Sequence, residues 1–246
     1  TPLPNCTVAQ ENSDFVCRHG FGYSVFEHAE FGISSELTTY VAMDAPVKFV
    51  VIKLKNSSNR TRQLSVMGYC ELVMGEWRHA NLMHIVTEHD AHTGALLAKN
   101  PYGRECANRI VFAHVSEKDN SFSGNRTEFI GRNSSMASPA AMRRKRLSGK
   151  VGAGLDPCIG LQAQITLLEN QERELVFILG AAKNTDEIQG YAQQMGGVAG
   201  ARQALDSVHE YWNHTLGAVQ VETPDAALNV LTNGWLVYQT ISCRLW

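Results

Sequence analysis

The chain has 246 residues, of which 44% are apolar, so it is long enough to bury one large core or a core with a small appendage. Its 22 Lys and Arg residues nearly balance 24 Asp and Glu residues, which leaves a formal charge of −2. This balance disfavours nucleic acid and anionic membranes as partners. No run of about 18 apolar residues is present, so no transmembrane helix is predicted and a cytoplasmic location is expected.

Short alternating or continuous apolar stretches between Gly22 and about Ile178 predict an antiparallel β-sandwich. The turn residues 56–59 are expected to join two of these strands as a hairpin, and residues 169–172 to join two others. The predicted strands are Tyr23–His28, Ile33–Ala42, Val47–Leu54, Leu64–Met74, Ile110–Val115, Gln162–Leu168 and Glu174–Leu179.

Three helices are predicted after the strands. The first begins with Thr185 as N-cap before two acidic residues and ends at Gly196 and Gly197. The second covers Ala199–Leu216, and the third begins at Thr223-Pro224-Asp225, with Thr as N-cap and Pro as first helical residue. This third helix meets no stop signal before Trp246, and the chain does not begin with Met. We therefore expect the chain to be a piece of a longer polypeptide.

Cysteines and histidines do not form a diagnostic ligand pattern. The six cysteines are widely spaced without a CxxC pair, which predicts buried reduced thiols in place of a zinc ribbon or a disulfide scaffold. Four histidines lie close together in sequence, but their spacing is not diagnostic of a metal site, and no metal is predicted. These histidines are His79, His84, His89 and His92.

Other local patterns leave alternatives open. The loop Gly149–Gly154 does not match a phosphate-binding motif, and its glycines are expected to permit sharp turns. Trp77 and Tyr102 are candidates for stacking on sugar, although packing within the fold is the favoured interpretation. The basic run Arg143–Arg146 is expected to be a solvated surface patch, with a phosphate or an acidic partner as the alternative.

Several longer motifs follow one another in a fixed order and resemble those of one family, the inverting glycoside phosphorylases of glycoside hydrolase family 94. The likeness is clearest to the phosphorylase region of cyclic beta-1,2-glucan synthases, and it covers nearly the whole chain after about residue 17. The matching stretches are Arg18–His28, Ser35–Thr38, Leu64–Val66, Ala98–Tyr102, Phe129–Asn133, Leu147–Gly149, Gly152–Cys158 and Trp235–Trp246.

The resemblance implies a fold that is mainly β. The chain would form a large antiparallel β-sandwich of the galactose-mutarotase-like supersandwich type over residues 1–180 and a helical linker over residues 181–222. Residues 223–246 would be the first helix of a truncated (α/α)6 catalytic barrel. The resemblance places the general acid beyond Trp246, so no catalytic residue is assigned here. It also implies inorganic phosphate as cosubstrate of the parent enzyme, with no cofactor.

The resemblance also implies partners and a weak binding site. The parent would act on β-glucan or β-glucooligosaccharides, releasing glucose 1-phosphate, and a synthase-like parent would be attached to the bacterial inner membrane. The chain would contact its own catalytic barrel and form a homodimer, with Arg132 and Asn133 as candidate substrate-binding residues. A stand-alone carbohydrate-binding or dimerisation module is the alternative.

Overall fold

The computed structural model describes residues 15–103 and 106–244, which form two antiparallel β-sheets and a set of helices. The strands of these residues, in chain order, are β1 (Phe15–His19), β2 (Tyr23–Glu30), β3 (Ile33–Val41), β4 (Val47–Asn56), β5 (Arg62–Glu71), β6 (Val86–His89), β7 (Leu96–Lys99), β8 (Ile110–Val115), β9 (Asn120–Asn125), β10 (Pro157–Leu167) and β11 (Glu172–Ala182). One sheet has eight strands in the order β1-β2-β3-β4-β11-β8-β7-β6, and the other has three in the order β5-β10-β9. The predicted mainly β fold is confirmed.

The helices lie in two groups, one in the loops of the sandwich and one after it. The α-helices are α1 (Arg78–Asn81), α2 (Arg126–Phe129), α3 (Thr185–Met195), α4 (Val198–Gly217), α5 (Ala226–Val230) and α6 (Leu236–Arg244), with a 3-10 turn at Ala140–Arg143 and a π-helical turn at Leu231–Trp235. The stretch 226–244 is therefore one continuous helical segment that changes its hydrogen-bonding pattern in the middle.

The two sheets and the helices α3 and α4 stack in three layers, because the eight-stranded sheet in the middle is apolar on both faces. In β11, Leu175 and Phe177 face the three-stranded sheet, whereas Val176 and Ile178 belong to the core beneath α3 and α4. This alternation follows from the period of two along a strand. Ile188 of α3 is buried in the same core as Val176 and Ile178. The predicted linker helices thus pack as a third layer, while the domain division at 180 and 222 stays a prediction.

Both predicted hairpins are wrong, although the strands themselves are present. β4 pairs with β3 and β11, whereas β5 pairs with β10 in the other sheet. Likewise β10 pairs with β5 and β9, and β11 pairs with β4 and β8. Turn residues show that the chain reverses but not which sheet it joins afterwards. Residues 57–61 and 168–171 therefore carry the chain from one sheet to the other.

Asn56 connects these two crossings at one corner of the sandwich. Its side chain is fully buried, and its Nδ2 lies 2.8 Å from the carbonyl oxygen of Arg60, 3.2 Å from that of Leu167 and 3.0 Å from that of Leu168. Its backbone N–H donates to the carbonyl of Gln171 at 2.9 Å. A single amide side chain thus hydrogen-bonds to backbone groups at both crossings.

Two predicted helix caps are displaced by one or two residues. Asn184, in extended conformation, caps α3 by accepting from the N–H of Glu187 at 2.9 Å, so Thr185 is already helical. Asp225 caps α5 by accepting from the N–H of Ala227 at 2.8 Å. Thr223 instead donates its hydroxyl to the Asn229 side chain at 2.7 Å. Near the start of each helix, several short side chains carry an oxygen that can accept from the first backbone N–H groups. The backbone geometry decides which of them becomes the N-cap.

Aromatic rings attach the last helical segment to the sandwich. Tyr238 lies with its ring centroid 5.2 Å from Phe21 and 4.7 Å from Trp212 of α4. A Cβ at Gly234 would come within 2.7 Å of the Phe21 ring, so only glycine permits this approach. Among the described residues, no helix combines the length and apolar composition needed to cross a bilayer.

The five cysteines in the described residues are all free, in agreement with the predicted absence of a disulfide framework. Only Cys158 is buried, whereas Cys17 and Cys243 are exposed. The prediction of buried thiols is therefore wrong for most of them, because Cys17 lies in the edge strand β1 and Cys243 near the end of α6. Cys6 lies outside the described residues.

We predict that Asn56→Ala lowers the free energy of unfolding by about 2 to 3 kcal/mol, because backbone carbonyls at both crossings, including that of the buried Leu167, lose this donor. Urea unfolding followed by circular dichroism measures this change. Asn59→Ala, at an exposed position in the same crossing, is the matched control and should change stability by less than about 0.5 kcal/mol. Equal stabilities of the two variants would contradict the role given to Asn56.

Candidate functional site

The predicted site residues lie at one end of the sandwich, which we call the α2 end. Here β5 ends at Glu71, β9 ends at Asn125 and β10 begins at Pro157. Register places them together, because Glu71 is opposite Cys158 and Asn125 is opposite Pro157. The loops that leave these strands therefore emerge side by side, although they are far apart in sequence.

Helix α2 positions the loop that carries Arg132 and Asn133. Asn125 caps the helix by accepting from the N–H of Thr127 at 3.1 Å. Phe129 is buried and stacks on Tyr69 with ring centroids 4.7 Å apart. Gly131, at a φ of +98°, then turns the chain outwards. The site loop thus begins from a firmly packed helix.

Arg132 and Asn133 are both exposed, and neither has a hydrogen bond or ion pair within the described ranges 15–103 and 106–244. The loop behind them is fixed, because the carbonyl of Ile130 accepts from the N–H of Ala140 at 2.9 Å. Neither side chain makes a polar contact within its own loop among the described residues. Both are placed so that they can contact a ligand or a neighbouring domain, and their predicted substrate-binding role stays a prediction.

Two arginines and two carboxylates form an ion-pair ring beside this loop. Arg126 Nε lies 2.6 Å from Glu71 Oε1, and Arg126 Nη1 lies 3.7 Å from Asp156 Oδ2. Arg78 Nη2 contacts the Asp156 carboxylate, and Arg78 Nε lies 3.6 Å from Glu71 Oε2. The four charges cancel. The ring joins α1, α2, β5 and the segment before β10, and Asp156 is a partner in it and not only a turn cap.

The ring keeps the carboxylate of Glu71 ionised. The hydrogen bond from Arg126 lowers the pKa of Glu71, and the bond from the Tyr69 hydroxyl and the charge of Arg78 act in the same direction against the opposing effect of burial. A general acid at neutral pH needs the opposite shift. Glu71 is therefore suited to pairing charge and not to donating a proton.

Glu128 of α2 fixes the segments that follow the site loop. Its carboxylate accepts from the hydroxyls of Ser123 at 2.6 Å and Ser148 at 2.7 Å, and Arg144 lies 3.6 Å away. Burial raises the pKa of Glu128, but these hydrogen bonds and the charge of Arg144 outweigh it, so the pKa lies below its usual value.

The basic run Arg143–Arg146 is exposed, as predicted for a surface patch, but it is partly paired. Arg144 contacts Glu128, and Arg146 Nη1 lies 2.5 Å from Asp119 Oδ1. Two of the four cations are thus neutralised within the fold, which reduces the attraction of this segment for an external anion.

The two aromatic residues weighed for sugar stacking are exposed. Trp77 is 64% exposed and Tyr102 is 76% exposed. The interpretation that they pack within the fold is therefore wrong. Trp77 lies next to Arg78 of the ion-pair ring, so it belongs to the α2 end, and Tyr102 is connected to it through Asn100 and Asn81.

The other local patterns have structural roles. Gly149, Gly152 and Gly154 all have positive φ, as expected of glycines that let a loop turn sharply. The ring of His89 stacks on Phe122 with centroids 3.9 Å apart, and the ring of His84 lies 4.7 Å from that of Tyr102. Across the described part of the chain, no three His, Cys, Asp or Glu side chains are arranged to hold a metal ion.

Comparison with known proteins defines the family. Residues 1–198 match the supersandwich domain of glycosyl hydrolase 94, and residues 211–246 match the catalytic domain of the glycosyl hydrolase 94 superfamily. The chain belongs to the glycosyl hydrolase 94 family, and the resemblance found in its sequence is confirmed.

The relatives are glucan synthases and phosphorylases. The chain is 33% identical over 233 residues to the cyclic beta-(1,2)-glucan synthase NdvB of Rhizobium meliloti, covering 94% of this chain and 8% of that protein. It is 24% identical over 241 residues to the N,N'-diacetylchitobiose phosphorylase of Vibrio proteolyticus, covering 96% of this chain and 30% of that enzyme. The chain therefore spans less than a third of the length of these relatives.

A solved structure shows the same fold at low sequence identity. The kojibiose phosphorylase from human microbiome superposes with a TM-score of 0.51 and 9% identity, covering 89% of this chain and 26% of that chain. At this identity the likeness concerns the fold alone, and it agrees with the supersandwich assignment.

Sequence reasoning missed the ion-pair ring. Arg126 and Glu71 are 55 positions apart, and Arg78 and Asp156 are 78 positions apart, so no local motif contains them. The available signal was indirect: Glu71 lies within the predicted strand Leu64–Met74, and Asp156 falls in a stretch that resembles the family. Only strand pairing brings the four side chains together.

We predict that stability at the α2 end depends on acid pH. The lowered pKa of Glu71 means that its ionised form stabilises the fold above the ordinary glutamate pKa of about 4.3, and that this contribution is lost as the pH falls through the lower folded value. Urea unfolding from pH about 6 to about 3 should show falling stability. Glu71→Gln should reduce stability at neutral pH and flatten this dependence.

Glu76→Gln is the matched control, because Glu76 is exposed and has no ion pair within the described ranges. It should follow the pH dependence of the unaltered chain. If Glu71→Gln and Glu76→Gln gave the same dependence on pH, the ion-pair ring would not be a source of stability.

Proposed function

We propose that this chain is the non-catalytic N-terminal region of a glycoside phosphorylase or of a cyclic beta-1,2-glucan synthase. The observation that carries the proposal is the order of the two family matches, the supersandwich domain over 1–198 and then the catalytic domain over 211–246. The helical segment 226–244 supports it, since its exposed apolar residues suit packing against further helices. These are Leu228, Val230, Leu231, Trp235 and Leu236.

The parent enzyme would cleave β-linked glucosides by inverting phosphorolysis. A carboxylic acid beyond Trp246 would protonate the glycosidic oxygen while inorganic phosphate attacks the anomeric carbon from the opposite face. The C–O bond to the leaving sugar breaks as the bond to phosphate forms, which gives α-glucose 1-phosphate. Phosphate is consumed as cosubstrate, and the reaction needs no cofactor.

Three carboxylates with lowered pKa values support a non-catalytic role for the described residues. The pKa values of Glu71, Asp90 and Glu128 are all lowered: an arginine hydrogen bond does this for Glu71, and a Thr93 hydrogen bond does it for Asp90. At Glu128, hydrogen bonds from Ser123 and Ser148 overcome the effect of burial. A carboxyl group that protonates a leaving group near pH 7 needs a raised pKa.

The sandwich would serve the active site indirectly. In this proposal the protein is a cytoplasmic homodimer, attached to the inner membrane if the parent is a glucan synthase, and Arg132 and Asn133 face the substrate of a neighbouring active site. The exposure of both side chains and the fixed backbone behind them support this. A guanidinium can donate paired hydrogen bonds to phosphate or to sugar hydroxyls.

A stand-alone carbohydrate-binding or dimerisation module is the second candidate. The exposed aromatic residues Trp77 and Tyr102 favour carbohydrate binding. The match of residues 211–246 to a catalytic domain disfavours the stand-alone form, because a binding module does not need the start of an enzyme barrel.

We predict that the 246-residue chain alone releases no glucose 1-phosphate from β-1,2-glucooligosaccharides or cellobiose in the presence of phosphate. A polypeptide extended along its gene through the rest of the catalytic domain should release it, because the extension supplies the general acid. A coupled assay for glucose 1-phosphate measures both. Activity of the short chain, or inactivity of the folded extended chain on every β-linked glucoside tested, would refute the proposal.

We predict that Arg132→Ala leaves the urea midpoint of the chain unchanged, because the Arg132 side chain has no partner in the described residues. In the extended polypeptide the same change should lower kcat/KM at least about ten-fold, because charged hydrogen bonds to the substrate are lost. Arg143→Ala is the control, an exposed arginine without an ion pair among the described residues, and should leave kcat/KM unchanged. A loss of stability or of dimerisation in Arg132→Ala without a change in kcat/KM would favour a structural role.

A further inference from the structure

Two large aromatic side chains at the α2 end are exposed without an evident structural reason. Trp77 is 64% exposed, Tyr102 is 76% exposed, and Met83 between them in sequence is 64% exposed. The ring of His84 lies 4.7 Å from that of Tyr102. Single exposed apolar side chains are ordinary, but several on connected loops indicate a surface that binds something.

The loops that carry these rings are joined by two amide side chains, the buried Asn100 and the half-buried Asn81. Asn100 is 1% exposed; its Nδ2 donates to the carbonyl of Met74 at 2.9 Å and to Asn81 Oδ1 at 3.1 Å, and its Oδ1 accepts from the N–H of Tyr102 at 3.1 Å. Asn81 in turn donates to the carbonyl of Trp77 at 2.8 Å. This chain of hydrogen bonds connects the backbone of Trp77 to the backbone of Tyr102. A surface organised before binding loses less entropy when a ligand arrives.

The surroundings of Trp77 favour a ligand without charge. Arg78, which follows it, belongs to the ion-pair ring, where two arginines and two carboxylates cancel. Glu76, which precedes it, is exposed and repels anions. The polar groups here therefore offer hydrogen bonds without a net attraction for phosphate or nucleic acid.

We propose that Trp77, His84 and Tyr102 form an aromatic platform that binds an uncharged β-linked glucan chain. A pyranose ring presents a C–H face that stacks on an aromatic ring and hydroxyl groups at its edge that need polar partners. Glu76, Arg78 and His79 supply such partners around Trp77. The choice of a β-glucan as ligand rests on the proposed function, whereas the platform rests on the structure.

A second copy of the chain is a less suitable occupant. The buried core of a stable protein interface is depleted of charged residues. Trp77 is instead flanked in the chain by Glu76 and Arg78, and the exposed carboxylate of Glu76 would have to lose its water without a partner among the described residues. A glucan hydroxyl can hydrogen-bond to these groups and leave them partly solvated.

The experiment measures binding without phosphate, by isothermal titration calorimetry of the 246-residue chain with β-1,2-glucooligosaccharides, cellohexaose and, as an α-linked comparison, maltohexaose. We expect binding to at least one β-linked probe and weaker binding to maltohexaose. Trp77→Ala and Tyr102→Ala should each weaken that binding about five- to ten-fold, which is the loss expected for one stacking contact. Trp77→Phe, which keeps a ring, should retain most of the affinity.

Phe31→Ala is the matched control. Phe31 is 67% exposed, and its carbonyl accepts from Arg62 at the start of β5, the opposite end of that strand from Glu71. This variant should bind as the unaltered chain does. Unchanged urea midpoints of all four variants establish that they are folded, since each altered side chain is largely exposed.

Three outcomes would overturn the proposal: no binding of any β-linked probe, equal binding by Trp77→Ala and the unaltered chain, or a lowered sedimentation mass of Trp77→Ala with its glucan affinity intact, which would show an interface between copies. The proposed function fails separately. If glucan binding depended on Trp77 and Tyr102 but the extended polypeptide performed no phosphorolysis, the platform would stand and the enzyme assignment would be refuted. If the extended polypeptide performed phosphorolysis but binding did not depend on these rings, the enzyme assignment would stand and the platform would be refuted.

Discussion

The buried side chain of Asn56 lies where both crossings between the two sheets meet, and the sandwich depends on this contact. Asn56 Nδ2 lies within 3.2 Å of three backbone carbonyls at the β4–β5 and β10–β11 connections. Without this donor, the carbonyl of the buried Leu167 would lose a hydrogen bond that water cannot easily replace. Beyond these crossings, β5 and β10 pair with each other in the smaller sheet. Their ends farthest from Asn56 lie at the α2 end.

The α2 end is organised by polar contacts around a packed helix. The ion-pair ring of Glu71, Arg78, Arg126 and Asp156 connects four chain segments, and Phe129 anchors α2 on the smaller sheet. Because the ring is electrically balanced, it can hold loops in place without attracting charged ligands. Exposed groups then stand on a rigid base: Arg132 and Asn133 on one loop, and the aromatic platform on the others. This arrangement agrees with the proposal that the domain supports and orients an active site without performing the chemistry itself.

The sequence predicted seven of the 11 described strands and the helices after the sandwich, but it did not predict β1, β6, β7 and β9 or the correct strand partners. The alternation in Val47–Leu54 and the acidic start near Thr185 gave elements close to β4 and α3, since these signals are local. The two hairpins were wrong because a turn does not specify which sheet the next strand joins. Trp77 was interpreted as packed within the fold because hydrophobicity alone does not reveal exposure. The ring was missed because its members are 55 and 78 positions apart.

By itself the sequence determined the family, the mainly β class and the positions of most strands, because ordered motifs and side-chain periodicity are properties of the chain read locally. It also indicated Arg132 and Asn133 as candidates through family resemblance. Only the tertiary structure decided that β4 and β5 lie in different sheets, that the charges of Glu71 and Arg126 cancel, and that Trp77 and Tyr102 remain exposed. The physical reason is that pairing, burial and electrostatics arise from contacts between distant segments, and these exist only after the chain has folded.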